Sequence, residues 1–173
     1  EVGMFEMTDR GLIEIENPSS ALLSGRPLEV SGSCIGAVME GSRPLLAELQ
    51  ALVAKTPFSA PRRTATGFDY NRMLLLTAVL EKRAGLYFGS HDIFVNVVGG
   101  LRLLEPAADL PLALALTSGY RDIPMPNDMV AFGEIGLAGE LRGVSNANLR
   151  IAEARRLGFK TCILPHQNRK MAA

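Results

Sequence analysis

The hydrophobic positions of this chain follow two different periods. Over residues 45–55, Leu45, Ala47, Leu49, Ala51 and Val53 alternate with Leu46, Glu48, Gln50 and Leu52, the period of two that marks a half-buried strand. The turn Gly41-Ser42-Arg43-Pro44 joins this run to another at 29–40. Shorter runs at 2–7 and 12–15 extend a predicted antiparallel sheet through the first fifty residues. Pro57 and Pro61 interrupt the pattern, residues 62–66 are extended again, and Asp69 is placed to start a helix.

Beyond that point the period lengthens. Residues 71–83 are strong helix formers with apolar side chains almost all round, which predicts a helix covered on both flanks, central or at an interface. Ile93, Val95 and Val97 face one way in a predicted strand over 92–98 that ends at Gly99-Gly100. A second apolar helix is expected from about 108 to 119 and a strand over 129–135. A hairpin over 133–142, an amphipathic helix over 146–157 closed by Gly158, and a short strand over 160–164 follow. Strands first and strand-helix alternation later predict an α+β or α/β sandwich, without internal repeats.

With 173 residues and 47% hydrophobic content, the chain reads as one domain, 1–173. A domain of this size buries roughly 70% of the surface its unfolded form exposes, enough to stand on packing alone. The net charge of zero hides an asymmetry. Residues 142–173 carry seven basic residues and one acid, Glu153, for a net +6, and the remainder carries −6. Such a split suits an anionic partner, head-to-tail contact between identical subunits, or a solvated helix face.

Cys34 and Cys162, with only His91 and His166 beside them, make no metal-ligand spacing and read as buried, reduced thiols. No apolar run reaches the ~20 residues needed to span a bilayer, and the start at Glu1 lacks the basic opening of a signal peptide. A cytoplasmic location without membrane contact is therefore expected. The opening Glu-Val-Gly suggests a piece of a longer chain. Gly133, Gly136 and Gly139 fit neither G-x-G-x-x-G nor G-x-x-x-x-G-K-[ST]; they are spaced for a tight hairpin, and no ATP site is expected here. The two histidines read as surface residues, since no Ser-His-Asp arrangement is indicated.

Three stretches carry a resemblance. They are Val97-Val-Gly-Gly-Leu-Arg-Leu-Leu-Glu-Pro-Ala-Ala-Asp-Leu110, Phe132-Gly-Glu-Ile-Gly-Leu-Ala-Gly-Glu-Leu-Arg142, and Glu-Ala-Arg-Arg-Leu-Gly-Phe-Lys160. The opening Glu-Val-Gly-Met-Phe-Glu-Met7, Pro61-Arg-Arg63 and Asn71-Arg72 fit the same pattern. Over nearly its whole length the chain resembles the C-terminal Lon-protease-like domain of the RadA (Sms) family of bacterial DNA-repair ATPases. That resemblance implies an α+β, ribosomal protein S5 domain 2-like fold.

Lon peptidases carry a serine nucleophile in Gly-Pro-Ser-Ala-Gly and a lysine base on a later helix. The matching segment here is Glu105-Pro-Ala-Ala-Asp109, which puts Ala107 at the serine and, counting from Gly139, Asn148 at the lysine. A methyl group cannot attack a carbonyl and an amide cannot take up the proton, so neither half of the dyad is present. No lysine occurs between Lys82 and Lys160 to substitute. The resemblance further implies an upstream RecA-like ATPase with ATP, Mg and Zn, a hexameric ring, DNA branch migration and cooperation with the RecA recombinase. No cofactor is expected in this chain itself.

The expected role is a non-catalytic scaffold whose arginines meet DNA phosphate. Arg150, Arg155 and Arg156 are expected on the exposed side of one helix, with Arg142 on the hairpin before it; Glu153 can pair with Arg150 or Arg156. Arg62, Arg63 and Arg72 form a second set. The rival readings are a peptidase with a relocated nucleophile such as Ser118 or Ser145, and an oligomerisation module without DNA contact.

Overall fold

A computed structural model describes residues 3–171. β1 (Phe5–Thr8) and β2 (Gly11–Glu14) pair antiparallel, with Met7 opposite Leu12, as a hairpin of its own rather than as part of the main sheet. Val2, the first residue of the predicted opening strand, lies outside the described residues. The six-residue helix α1 (Pro18–Leu23) was not expected, although its signals stand in the sequence. Asn17 caps it by accepting from the Ser20 N–H at 3.2 Å, and Pro18 sits at its first turn.

β3 (Ser33–Glu40) starts four residues later than the pattern predicts. Glu29 (φ 58°) and Gly32 (φ 82°) are left-handed and keep the chain from extending sooner. A side chain at position 32 would also meet the Ala51 carbonyl oxygen at 2.4 Å, so glycine is needed there twice over. β4 (Arg43–Lys55) and β5 (Arg63–Thr66) lead to α2 (Tyr70–Ala84), capped by the Asp69 carboxylate on the Arg72 N–H at 2.7 Å and closed by Gly85 in the left-handed region. α2 is covered on one flank only. Met73, Leu76 and Val79 are buried, whereas Leu75 is exposed.

β6 (His91–Val97) follows, then a 3-10 turn (Pro106–Ala108) that runs into α3 (Asp109–Arg121). The strand predicted over 129–135 is two, β7 (Met129–Ala131) and β8 (Glu134–Ile135). The chain leaves the sheet between them because Gly133 bonds to the turn instead: its N–H donates to the Ala107 carbonyl at 2.9 Å and its carbonyl accepts from Leu110 at 3.0 Å. β8 and β9 (Leu141–Arg142) close the expected glycine hairpin, followed by α4 (Ala147–Arg156), β10 (Thr161–Ile163) and a final 3-10 turn (His166–Met171).

The main sheet runs β10-β7-β3-β4-β6-β5. β4 runs antiparallel to both of its neighbours, β3 and β6; the outer pairings β10 with β7, β7 with β3, and β6 with β5 are parallel. The fold is α+β with a mixed sheet. On one face Cys34, Leu49, Ala51, Val95 and Val97 pack with Met73, Leu112 and Leu116 of α2 and α3. The opposite face is covered only in part. There Ile35, Ala37, Leu46 and Val130 pack against Ala147 and Ala154 of α4, and α1 lies against β4. The rest of that face, from Ser33 and Gln50 across Leu52, Phe94, Asn96, Thr64 and Thr66, has no helix over it.

Alternation along β4 fixes the cost of truncation. Leu49 is 0% and Leu52 63% exposed on the same strand. We expect Leu49→Ala to destabilise by about 2–5 kcal/mol and Leu52→Ala by under ~0.5 kcal/mol, measured by urea denaturation.

Candidate functional site

The turn Pro106–Ala108 places Ala107, the residue at the serine position, among the buried side chains. Ala107 shares an apolar cluster with Ala147 of α4, and Asn148, at the lysine position, follows Ala147 on the exposed side. The two segments in which the resemblance places a serine and a lysine are therefore neighbours here, and the groups joining them are charged.

Glu105, just before the turn, and Arg150, on the second turn of α4, form a bidentate ion pair with both N–O distances 2.7 Å. The Arg150 side chain is 1% exposed and that of Glu105 24%. Arg150 also donates to the Ala37 carbonyl at 2.8 Å and the Ser145 carbonyl at 3.0 Å, and its guanidinium lies 5.6 Å from the centre of the Phe132 ring. Glu105 takes a further bond from the Met39 N–H at 2.6 Å. One charged pair thus ties the end of β3, the turn before α3 and the start of α4. This corrects the expectation that Arg150 faces solvent: it stands on the buried stripe Ala147, Ile151, Ala154, where the only use for a guanidinium is a carboxylate and carbonyls.

A second pair stands two residues past Ala107. Asp109 accepts from Arg72 through both oxygens and from the Ile135 N–H at 3.0 Å, while Arg72 also donates to the Ile135 carbonyl at 2.7 Å. The hydrogen bond with Asp109 raises the Arg72 pKa, and the guanidinium is engaged by Asp109 and the Ile135 carbonyl. It, too, is withdrawn from the predicted phosphate-binding set. A cavity of about 380 Å³ opens beside the turn, lined by Arg72, Leu104, Glu105, Pro106, Asp109 and Glu134 among others, without a hydroxyl, thiol or imidazole in its wall.

The remaining arginines divide. Arg62 grips Asp92 through its backbone N–H (2.7 Å) and guanidinium (2.8 and 3.1 Å), yet its side chain stays 63% exposed. Those bonds, led by the backbone one, hold the Asp92 carboxyl below its ordinary range. Arg63 is spent on the carbonyls of Phe88 and His91, tying down the loop after α2. Arg142 is exposed and paired with Glu140 at 3.0 Å. Arg156, not Arg150, pairs with Glu153 at 2.7 Å and also reaches Asn17. Arg155 is exposed, and its side chain makes no hydrogen bond or ion pair among the described residues.

Ser118, the first relocated-nucleophile candidate, is buried and structural: its hydroxyl oxygen accepts from the Gly32 N–H at 2.9 Å, and its O–H donates to the Ile123 carbonyl at 2.5 Å. Ser145 is exposed and gives only its carbonyl to Arg150. Cys34 is buried and its thiol pushed up to about 12; Cys162, half-buried, is pushed up to about 11, both by loss of solvent. His166 is exposed, whereas His91 is half-buried with its ring centre 5.1 Å from that of Tyr120. Among the described residues no cluster of His, Cys, Asp and Glu could hold a metal ion, and no helix is long and apolar enough to cross a membrane.

Comparison with known proteins gives a family. Residues 71–168 match the family model described as subunit ChlI of Mg-chelatase. Over all 173 residues the chain is 49% identical to the DNA repair protein RadA of Haemophilus influenzae, of which it covers 38%. It is 51% identical over 168 residues to RadA of Halalkalibacterium halodurans and 50% over 169 residues to RadA of Bacillus subtilis, covering 37% of each. The chain spans little more than a third of these relatives.

Two measurements test this arrangement. Arg150→Met leaves Glu105 without its cation and should cost about 3–5 kcal/mol, whereas Arg150→Met with Glu105→Leu should recover much of that loss; urea denaturation of both variants decides. Glu153 is held below its ordinary value of 4.5 by Arg156, against desolvation, with help from the Ser19 hydroxyl at 2.6 Å. A depressed carboxylate stabilises above its unfolded pKa and loses that contribution as pH falls through the folded one. Thermal melts of Glu153→Gln should therefore fall less steeply below pH 4.5 than those of the parent chain.

Proposed function

The chain belongs to the family described as subunit ChlI of Mg-chelatase, and from that membership and its likeness to RadA we propose that it is the Lon-protease-like domain of a DNA repair ATPase. In this reading the domain has the ribosomal protein S5 domain 2-like fold and no peptidase activity. It acts as a scaffold that packs beside copies of itself in a hexameric ring and touches DNA phosphate while the ATPase moves the strand. ATP, Mg and Zn belong to other parts of such a protein, as does any meeting with a recombinase.

The observation that carries the reading is the Glu105–Arg150 pair. It joins the two segments a serine-lysine hydrolase would need to keep reactive, and it does so with groups that neither attack a carbonyl nor accept a proton from a serine. The cavity beside the turn is lined by carboxylates, one engaged guanidinium and apolar groups, and Ala107 itself is buried away from it. Phosphate contact falls to the arginines still facing water. Arg155 is unengaged, and Arg142, Arg156 and Arg62 are exposed partners in ion pairs that salt and solvent weaken. Contacts of this kind are independent of sequence and suit a protein that travels along DNA.

Anisotropy titrations with fluorescent DNA at several salt concentrations, on the intact protein, test the contact. Arg155→Ala/Arg156→Ala should weaken binding and lower the slope of log K against log salt by up to about 2; an unchanged affinity and slope would remove α4 from the interface. The peptidase question is settled separately. A fluorophosphonate probe should leave the domain unlabelled and unfolded casein should stay intact, and labelling abolished by Ser118→Ala or Ser145→Ala would reverse the assignment.

A further inference from the structure

We propose that the uncovered half of the sheet, where β4, β6 and β5 lie side by side, is a docking platform for single-stranded DNA. This rests on the DNA-contact reading above and gives that contact a second, chemically different place. The register sets Leu52, Phe94 and Thr64 in one row and Gln50, Asn96 and Thr66 in the next, all on the face away from α2 and α3. Leu52, Asn96, Thr64 and Thr66 are exposed and Phe94 is half-buried, because α1 and α4 cover only the other half.

Charge and shape select the occupant. The two carboxylates that fall on this face are both withdrawn: Asp92 is buried under Arg62, and Glu48 is buried and accepts from Ser33 at 2.7 Å and Gln50 at 3.2 Å. Along β4, β6 and β5 what remains in contact with water on this face is neutral, and the exposed Asp69, which shares a cleft with Thr66 and Asn96, is engaged by the Arg72 N–H. Arg62 stands at the rim, fixed from behind by Asp92, with its guanidinium 5.6 Å from the centre of the Phe94 ring and 5.8 Å from that of Phe58, itself exposed. An open pleated surface with aromatic rings, amide and hydroxyl groups, and a held guanidinium supplies stacking for bases and a cation for phosphate. A duplex keeps its bases stacked on one another and cannot use the rings. Docking of a protein sheet is disfavoured, since the apolar patch of Leu52 and Phe94 is broken by Thr64, Thr66, Gln50 and Asn96.

The test is photocrosslinking of the intact protein to a single-stranded oligonucleotide carrying 5-iodouracil, with the adduct mapped by mass spectrometry. Adducts should map to Phe94 or Phe58, and a duplex of the same sequence should give far fewer. Thr64→Glu/Asn96→Glu, both at exposed positions, should abolish the adduct and weaken single-strand affinity about fivefold or more, with an unchanged melting temperature. If the protein binds DNA but crosslinks elsewhere and the double variant keeps its affinity, the platform is wrong and the phosphate contact stands. Equal crosslinking to duplex overturns the preference for single strands. A change in particle mass by light scattering, without a change in DNA affinity, makes this face a contact between copies instead. Failure to bind any DNA removes the DNA-contact reading itself.

Discussion

A guanidinium sealed inside a protein must be satisfied on all sides, and the arrangement around Arg150 follows from that demand. Its planar fork donates two parallel bonds to Glu105, and its N–H groups also reach the carbonyls of Ala37 and Ser145. Each of these acceptors comes from a different part of the chain. The end of β3, the turn into α3 and the loop before α4 can therefore have only one mutual position in which no buried charge is left uncompensated. Apolar clusters on the two sheet faces supply the bulk of the burial, but they would tolerate small slides that this pair does not.

Asp109 and Arg72 repeat the device on the other side of the same turn, with α2, α3 and β8 as the tethered elements. Ala107 stands between the two pairs. If the resemblance to Lon peptidases holds at this turn, this is where their nucleophile must be free to move by fractions of an ångström toward an incoming carbonyl. Here both flanking residues of the turn are locked by charge, and the carboxylates beside the cavity would repel a developing oxyanion rather than stabilise it. The turn is built for holding still, which suits the scaffold role proposed above.

The legible parts of the sequence were those with an unbroken period. β4, β6, α3 and the glycine hairpin fall where the pattern puts them, and Asp69 caps α2 as its position indicates. α1 was hidden because six residues are too few to display a period, although Asn17-Pro18 carried the capping signal. Arg150 was misplaced for a different reason. An arginine between Arg142 and Arg155 reads as one more surface charge, yet the spacing Ala147, Ile151, Ala154 already put position 150 on the inner stripe. The complementary sign lay in Glu105 and Asp109, two acids flanking Pro-Ala-Ala in an otherwise apolar stretch. Neither signal means much until the fold brings positions 105 and 150 together, 45 residues apart.

The same pairing changes what the basic end of the chain can do. Of the arginines there, Arg150 is internal, and Arg142 and Arg156 lean on Glu140 and Glu153, so the +6 of residues 142–173 is not an open field of positive charge. One copy then presents few unengaged cations to a phosphate backbone, and each exposed contact is weak at physiological salt. Weak single contacts are a defect in an isolated binder and an advantage in a ring. In the ring proposed above, linked copies would multiply them into useful affinity by effective concentration, while any one contact could let go and re-form as a strand moved. The burial of Arg150 therefore does more than fix the fold: by removing a strong cation from the surface, it leaves the basic end with weak, separable cations, as the shared DNA contact proposed above would need.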